Sequence, residues 1–449
     1  NSIGKMDRQK RDVTTLSIAD LRAILTLRKE SIQRLAATAL FCCTFLYIWI
    51  TLFPFPDLTY ADQGTASGGG SSLINQFVVL VLVGLMAGYA LAWRSHTAVL
   101  QPRILLFLVF VWFFLVSVPS PDPGFAIRRL ALSGIVCLAA SVFLTLPADE
   151  RHFAGMIAAC TAIVLVLCYA GVFLLSRYAV HQFTDELEPQ LAGDWRGLYP
   201  HKNTAGTVMV VAVLFGLYVT RVLGPLVGLP LVLFASVFLV LTGSKTSVAM
   251  LPMTLALAFL VVRLRRGKAL LVLGTLAVVW TVTLGSALSE RMAAFVKSLG
   301  IDPTFTLRAD VWKLAIEHIQ KKPWLGHGYQ SFWRGDGLMY AAREEFTWAT
   351  SAVTAHNGYL DLLLTAGIPG LLLALVFLVA LPIRYIAQAE RRGGERRLTD
   401  LFTQIWLFGL LAACLESILF DTVGVLWFSI LMAIFGLRLQ AKARLRPGE

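Results

Sequence analysis

Charge is scarce in this chain. Only 15% of its 449 residues are Asp, Glu, Lys or Arg, against 57% hydrophobic ones, and no water-soluble globular domain needs so much apolar surface. Acid is the scarcer sign, 27 residues against 39 Lys and Arg, and it nowhere gathers into a cluster suited to a divalent cation. Asp57 and Asp62 come nearest, in a Pro- and Gly-rich stretch where solvation is the plainer role. Cysteine is sparse too. Cys42, Cys43, Cys137, Cys160, Cys168 and Cys414 all fall in apolar runs, so no disulfide framework follows, and no Cys/His spacing suits zinc. A clear internal repeat is missing, which weighs against a secondary transporter. The first 33 residues are too polar for a cleavable signal peptide. The chain does not begin with Met, and its first few residues are expected to be a cloning remnant.

What the chain has is long apolar runs. Twelve stretches read as transmembrane helices, near 34–54, 74–93, 104–118, 128–147, 153–175, 204–220, 223–241, 246–262, 269–287, 358–383, 402–419 and 424–440, the third of them short. The expected fold class is an all-α polytopic membrane protein whose first span serves as the insertion signal. With the N-terminus in the cytoplasm, most Lys and Arg fall inside, including Arg8 to Arg34, Arg263 to Lys268, Arg391 to Arg397 and Arg438 to Arg446. The net charge of +12 then reflects topology and contact with anionic membrane lipids, with no nucleic acid as partner. The expected organisation is a cytoplasmic segment 1–33, nine spans over 34–288 with outside loops near 54–73 and 176–203, a long outside loop 289–357, three spans over 358–440, and a cytoplasmic tail 441–449.

Polar sequence concentrates on the outside face, where work is therefore expected. In the long loop, Asp310 to Gln320 reads as a helix, with Val311, Leu314, Ala315, His318 and Ile319 at helical spacing. It could lie on the membrane surface or cap the bundle, and a cap is its expected place. Pro323 ends it, and Trp324-Leu325-Gly326-His327-Gly328-Tyr329 reads as a turn. Trp312, Trp324, Trp333 and Trp348 read as interfacial anchors or as platforms for sugar stacking. The loop closes on Thr354-Ala355-His356-Asn357-Gly358-Tyr359. This sets a histidine, the side chain most easily poised as a base near neutral pH, at the membrane surface.

The same face carries cations that topology does not require: Arg128 and Arg129, Arg196 to Asn203 with Tyr199 and Lys202, Ser244-Lys245, and Arg308. Converging cations would suit a phosphate or pyrophosphate. Plainer readings stand beside this one. Arg128 and Arg129 could snorkel to headgroups, Lys245 could pair with Glu416 or Asp421, and His201 and His327 read as structural. Gly243-Ser244-Lys245-Thr246 ends like a nucleotide P-loop, but it joins two spans and lacks the first glycine, so a Walker reading fails.

Taken in order, Arg196…Lys202-Asn203, Ser244-Lys245, Arg308 with Trp312, Pro323-Trp324-Leu325-Gly326-His327-Gly328 and His356-Asn357-Gly358-Tyr359 resemble the O-antigen ligase/polymerase superfamily of bacterial inner-membrane proteins. The motifs cover roughly 190–370, and the topology covers the whole chain. The resemblance implies the fold of C-type glycosyltransferases and the transfer of a glycan from undecaprenyl pyrophosphate to a sugar hydroxyl of lipid A-core. The reaction would be inverting and metal-independent, need no cofactor, and face the periplasm. His356, Arg196 and Arg308 match the family's essential histidine and arginines. Arg128, Arg129, Tyr199, Lys202, Asn203, Lys245, Trp312, Asn357 and Tyr359 are expected to bind substrate. Ser244-Lys245 departs from a frequent Ser-Arg, keeping charge but losing the bidentate fork. A polymerase, a protein O-oligosaccharyltransferase and a lipid-glycan flippase are the rivals. A monomer is the expected state.

Overall fold

In the computed structural model, the described residues are 18–51, 53–59, 73–93, 104–185, 188–264, 266–300, 305, 308–334, 352–393, 395–422 and 424–442. Asp62, the Gly-Ser stretch 68–72 and Trp348 lie outside them.

Among the described residues the chain is helical, with one isolated antiparallel bridge between Val180 and Trp195. The helices in chain order are α1 (Ile18–Trp49), α2 (Leu73–Trp93), α3 (Ile104–Ser117), α4 (Pro123–Phe143) and α5 (Glu150–Leu174). There follow α6 (Lys202–Leu223), α7 (Pro225–Leu241), α8 (Lys245–Arg263), α9 (Lys268–Leu288), α10 (Glu290–Ser298) and α11 (Arg308–Lys321). The last three are α12 (Gly358–Arg392), α13 (Arg396–Ala412) and α14 (Val425–Lys442). Nine of the described helices are long and apolar enough to cross a membrane, and α3 and α7 are shorter apolar helices. This is a polytopic membrane protein, and every expected span has a helix.

Burial separates the centre from the rim. In α14, 89% of the apolar window is buried inside the protein, in α6 72%, and in α2 and α9 only 22%. The outer helices therefore turn Phe77, Leu226 and Leu270 outward, the surface a lipid solvent demands. Several ends are fixed by side chains. Asp122 caps α4 by accepting from Phe125 N at 2.9 Å, with Pro123 at the first helical position. Asp149 caps α5 by accepting from His152 N at 2.7 Å.

Two departures from the sequence reading matter for the site. The apolar run expected as a span over 402–419 stops being helical at Ala412. Its next carbonyls have other partners: Ala413 and Glu416 accept from Gly358 N, Cys414 from Asn357 Nδ2, and Leu415 from Arg308 Nη1. Glu416 thereby sits in the turn that follows α13.

The second departure is a break in α12 at Gly367, whose φ is 63°. Pro369 has no N–H to give the Thr365 carbonyl, and Ile368 N turns away to Pro323 O at 2.8 Å. The Pro323–Gly328 turn fills the gap. His327 N donates to Leu364 O at 2.7 Å and Gly328 N to Thr365 O at 3.0 Å. Trp112 Nε1 donates to Ala366 O at 2.9 Å. Close approach explains two glycines: a Cβ on Gly367 would lie 2.4 Å from the Trp324 backbone, and one on Gly326 2.6 Å from that of Ala366.

Candidate active site

The site is built around the start of α12. Asn357 is the cap: its Oδ1 accepts from Tyr359 N and Leu360 N, each at 3.1 Å. Its own N donates to Ser417 Oγ at 3.2 Å, and its Nδ2 to Cys414 O at 2.9 Å. On the other side of the histidine, Ala355 O accepts from Trp312 Nε1 at 3.0 Å, and Ala355 N donates to Asp361 Oδ1 at 3.2 Å. Asp361 also accepts from Trp333 Nε1 at 2.8 Å. His356 is thus pinned through both neighbours. Its φ is 47°, a left-handed conformation uncommon for a residue with a Cβ. Such a conformation persists only where the surroundings enforce it. Its side chain stays 34% exposed while Trp312 and Asn357 are wholly buried.

Glu416 joins the histidine to an arginine. Its Oε1 lies 2.8 Å from Arg308 Nη2, and its Oε2 lies 3.9 Å from His356 Nδ1. Arg308 is 7% exposed and also donates through Nη1 to Leu415 O. Burial alone would raise the Glu416 pKa, but the charges of Arg308 and His356 and the hydrogen bond from Arg308 outweigh it and bring it down to about 2. The sequence reading held Glu416 only as a partner for Lys245. An acid at the outer end of an apolar run was the available signal.

A second polar group stands on the loop before α6. His181 Nδ1 lies 3.0 Å from Asp185 Oδ2, and His181 Nε2 accepts from Lys202 N at 3.3 Å. That network assigns the ring proton to Nδ1. Burial, then the charge of His201, pull the His181 pKa down to about 4. His201 accepts from Asn203 N through Nδ1 at 3.1 Å and faces Glu188 at 2.9 Å through Nε2. Glu188 is held below the usual carboxylate range: burial opposes this, while His201, His181 and His356 lower it.

The expected site residues divide by placement. Arg196 is fully buried, with Nη2 on Pro56 O at 2.8 Å and Nη1 on Tyr199 O at 3.3 Å. Burial lowers its pKa, and its Nε has no partner among the described residues. Tyr199 is buried with its hydroxyl on Trp49 O at 2.9 Å, and Tyr359 with its hydroxyl on Leu410 O at 3.0 Å. Lys202 Nζ pairs with Asp194 at 2.7 Å. Asn203 Oδ1 accepts from Ser244 Oγ at 3.2 Å, which docks the α7–α8 turn on the start of α6. Arg129 donates to Thr422 Oγ1 at 3.3 Å and lies over the Phe125 ring. Arg128 and Lys245 are exposed, and neither has a carboxylate partner among the described residues. His327, read as structural, lies 3.2 Å from His318 O. In α11, Trp312 joins Val311 and Ala315 on the buried face, against α9 and α12. Among the described residues, no three His, Cys, Asp or Glu side chains gather as a metal set.

Fold and site together define a multi-pass membrane protein with Arg308, His356 and Glu416 brought together where the starts of α11 and α12 meet the turn after α13. Residues 230–375 match the family model described as O-antigen ligase, which bears out the resemblance to the O-antigen ligase superfamily read from the motifs. The match spans Lys245, Arg308, Trp312, His356, Asn357 and Tyr359, and stops short of Glu416 and of the earlier cations. No match was found among curated proteins.

Proposed function

We propose that this chain is an O-antigen ligase of the bacterial inner membrane, with its site facing the periplasm. It would transfer a glycan from undecaprenyl pyrophosphate to a sugar hydroxyl of lipid A-core. The observation that carries this reading is the pinned, half-exposed His356, which lies inside the segment that matches the ligase family, beside the Glu416–Arg308 pair.

A sugar hydroxyl is a weak nucleophile at neutral pH. In this mechanism His356 takes its proton as the new bond forms between the acceptor oxygen and the anomeric carbon. The bond from that carbon to the pyrophosphate oxygen breaks, and the pyrophosphate lipid leaves with the electron pair. Attack from the opposite face inverts the anomeric centre. Glu416 faces His356 Nδ1, which leaves Nε2 for the acceptor and stabilises the imidazolium as it appears. Arg308 keeps Glu416 ionised. The leaving group needs positive charge in place of an acid, and cations do here what a metal would do elsewhere. Arg128, Arg129, Lys202 and Lys245 are the donors nearest the surface, and buried Arg196 adds field from within. Each well-aimed donor is worth roughly 10²–10³ in rate, by analogy with an oxyanion-hole group.

The test uses purified protein, a lipid-linked O-antigen donor, a lipid A-core acceptor and excess EDTA, beside His356→Ala. A larger lipopolysaccharide made only with intact His356 supports the ligase reading. An unmodified acceptor with a lengthened donor replaces it with polymerisation, and movement of the donor across a bilayer replaces it with flipping.

A further inference from the structure

Residues 362–383 of α12 carry no ionisable side chain, and Arg384 is the first after Asp361. The break at Gly367 lies 17 residues before Arg384, roughly 26 Å along a helix. The hydrocarbon layer of a bilayer is about 30 Å thick, so the break falls near its edge, on the side of His356. The end of α3 marks the same level. Tyr329 N, just past the Pro323–Gly328 turn, donates at 3.0 Å to Oγ of Ser117, the last residue of α3.

Below the break, Ile368, Leu372 and Val376 recur at every fourth residue and are 36%, 57% and 45% exposed. They form one apolar stripe on the outside of a helix fit to cross a membrane. The bond from Ile368 N to Pro323 O sets the turn at the top of that stripe. There Trp324 is 65% exposed and Leu325 55%, and Lys321 and Lys322 just before them are exposed too. Aliphatic side chains, then an indole, then ammonium groups follow one another as they do across a membrane–water interface. The turn also meets the condition for irregular backbone at that depth, that the protein itself satisfies it. Gly326 N donates to Lys322 O at 3.1 Å and His327 N to Leu364 O at 2.7 Å. Its other side is tied to the site. The helix α11 begins at Arg308, paired with Glu416, holds Ala355 O through Trp312, and ends at Lys321 beside the turn.

We propose that Trp324 and Leu325 are seated in the lipid leaflet on the His356 side, as an anchor that fixes α11 and the site at a set height above the hydrocarbon. The indole lies at the level of the ester groups, Leu325 reaches the first carbons of the acyl chains, and Lys322 extends to the lipid phosphates. The partner is the phospholipid surface, because the exposed side chains of the turn continue a stripe that already faces lipid. Stacking of Trp324 on a sugar would instead need the indole to stand in water. The anchor is independent of the transfer reaction at His356.

Fluorescence quenching of the full-length protein in phosphatidylcholine vesicles tests it. The difference between wild type and Trp324→Phe isolates the emission of one of the chain's 11 tryptophans. Three quenchers probe it: lipid brominated near the headgroup, lipid brominated near the bilayer centre, and iodide present on both sides of the membrane. The expected result is loss of most of the difference emission to the shallow bromines, less to the deep ones, and little to iodide. A gain-of-signal variant gives an independent reading. Leu325→Trp adds an indole at the neighbouring exposed position, and its extra emission should be quenched by the same lipid. Quenching by iodide in place of bromolipid overturns the proposal and makes Trp324 a water-facing platform for a sugar. Quenching by neither overturns it too, since the turn would then be covered by protein. Stronger quenching by the deep bromines overturns the interfacial depth.

Discussion

Glu416 turns one carboxylate oxygen to Arg308 at 2.8 Å and offers the other to His356 at 3.9 Å. The acid is thus shared between a permanent cation and the candidate base. Glu416→Gln keeps the shape and removes the charge. It is expected to lower the turnover number for glycosyl transfer by roughly 10- to 100-fold, less than loss of the base itself, with little change in donor KM. Steady-state kinetics with the lipid-linked donor checks this. A loss confined to KM would mean that Glu416 binds substrate and does not position His356.

The same pair sets an acid dependence. The Glu416 pKa in the folded protein, about 2, lies below the ordinary glutamate value near 4.3. Its contribution to stability is therefore complete above the unfolded value and lost as pH falls toward the folded one. The difference in thermal midpoint between wild type and Glu416→Gln is the measurement that checks this. It should narrow only as pH falls below about 4.

His181 supplies a pH dependence at a higher range. Its folded pKa is depressed to about 4, so the unfolded chain takes up a proton first as pH falls below about 6.5. Stability should decline by about 1.4 kcal/mol per pH unit through that window from this group alone. In His181→Gln, a thermal-midpoint series from pH 7 to 4.5 should show a shallower slope. An unchanged slope would assign the effect to another group.

Arg196, on the loop before α6, and Lys245, at the start of α8, are both cations, and their placements predict opposite signatures. Arg196→Lys cannot span the Pro56 and Tyr199 carbonyls together, and should cost about 1–3 kcal/mol of stability. Lys245→Gln removes an exposed charge and should leave the thermal midpoint within a degree or so of wild type. The ligase mechanism expects it to weaken donor use severalfold. Paired melting and kinetic measurements separate the two.

Gly367→Ala would place a Cβ 2.4 Å from the Trp324 backbone at a φ of +63°. Left-handed strain and overpacking together suggest a loss of roughly 2–5 kcal/mol. Thermal unfolding in detergent should show it, with activity falling in step because the turn and α12 are bonded together.

The membrane class and the helices were legible because hydropathy is a local signal that burial in lipid requires of each span separately. His356, Asn357 and Tyr359 were legible as an ordered motif. Glu416 was not, because Cys414, Leu415, Ile418 and Leu419 around it read as span. Only partners distant in sequence, Gly358, Asn357 and Arg308, take its neighbours' carbonyls and end the helix. Arg196 read as a charge donor for the same reason in reverse, since its contact with Pro56 crosses 140 residues. The α10 helix escaped because Glu290, Arg291 and Lys297 conceal its short apolar face. The break in α12 was written in Gly367-Ile368-Pro369, but what heals it was not.

That healing has a consequence for how the protein is made. A membrane span with open carbonyls is costly in hydrocarbon, yet α12 carries such a break. The groups that close it, Trp112 and the amides of His327 and Gly328, all precede α12 in the chain. Chains emerge from the ribosome N-terminus first. When α12 is synthesised, its missing donors already exist, so the broken span need never wait in lipid for a partner still to be translated.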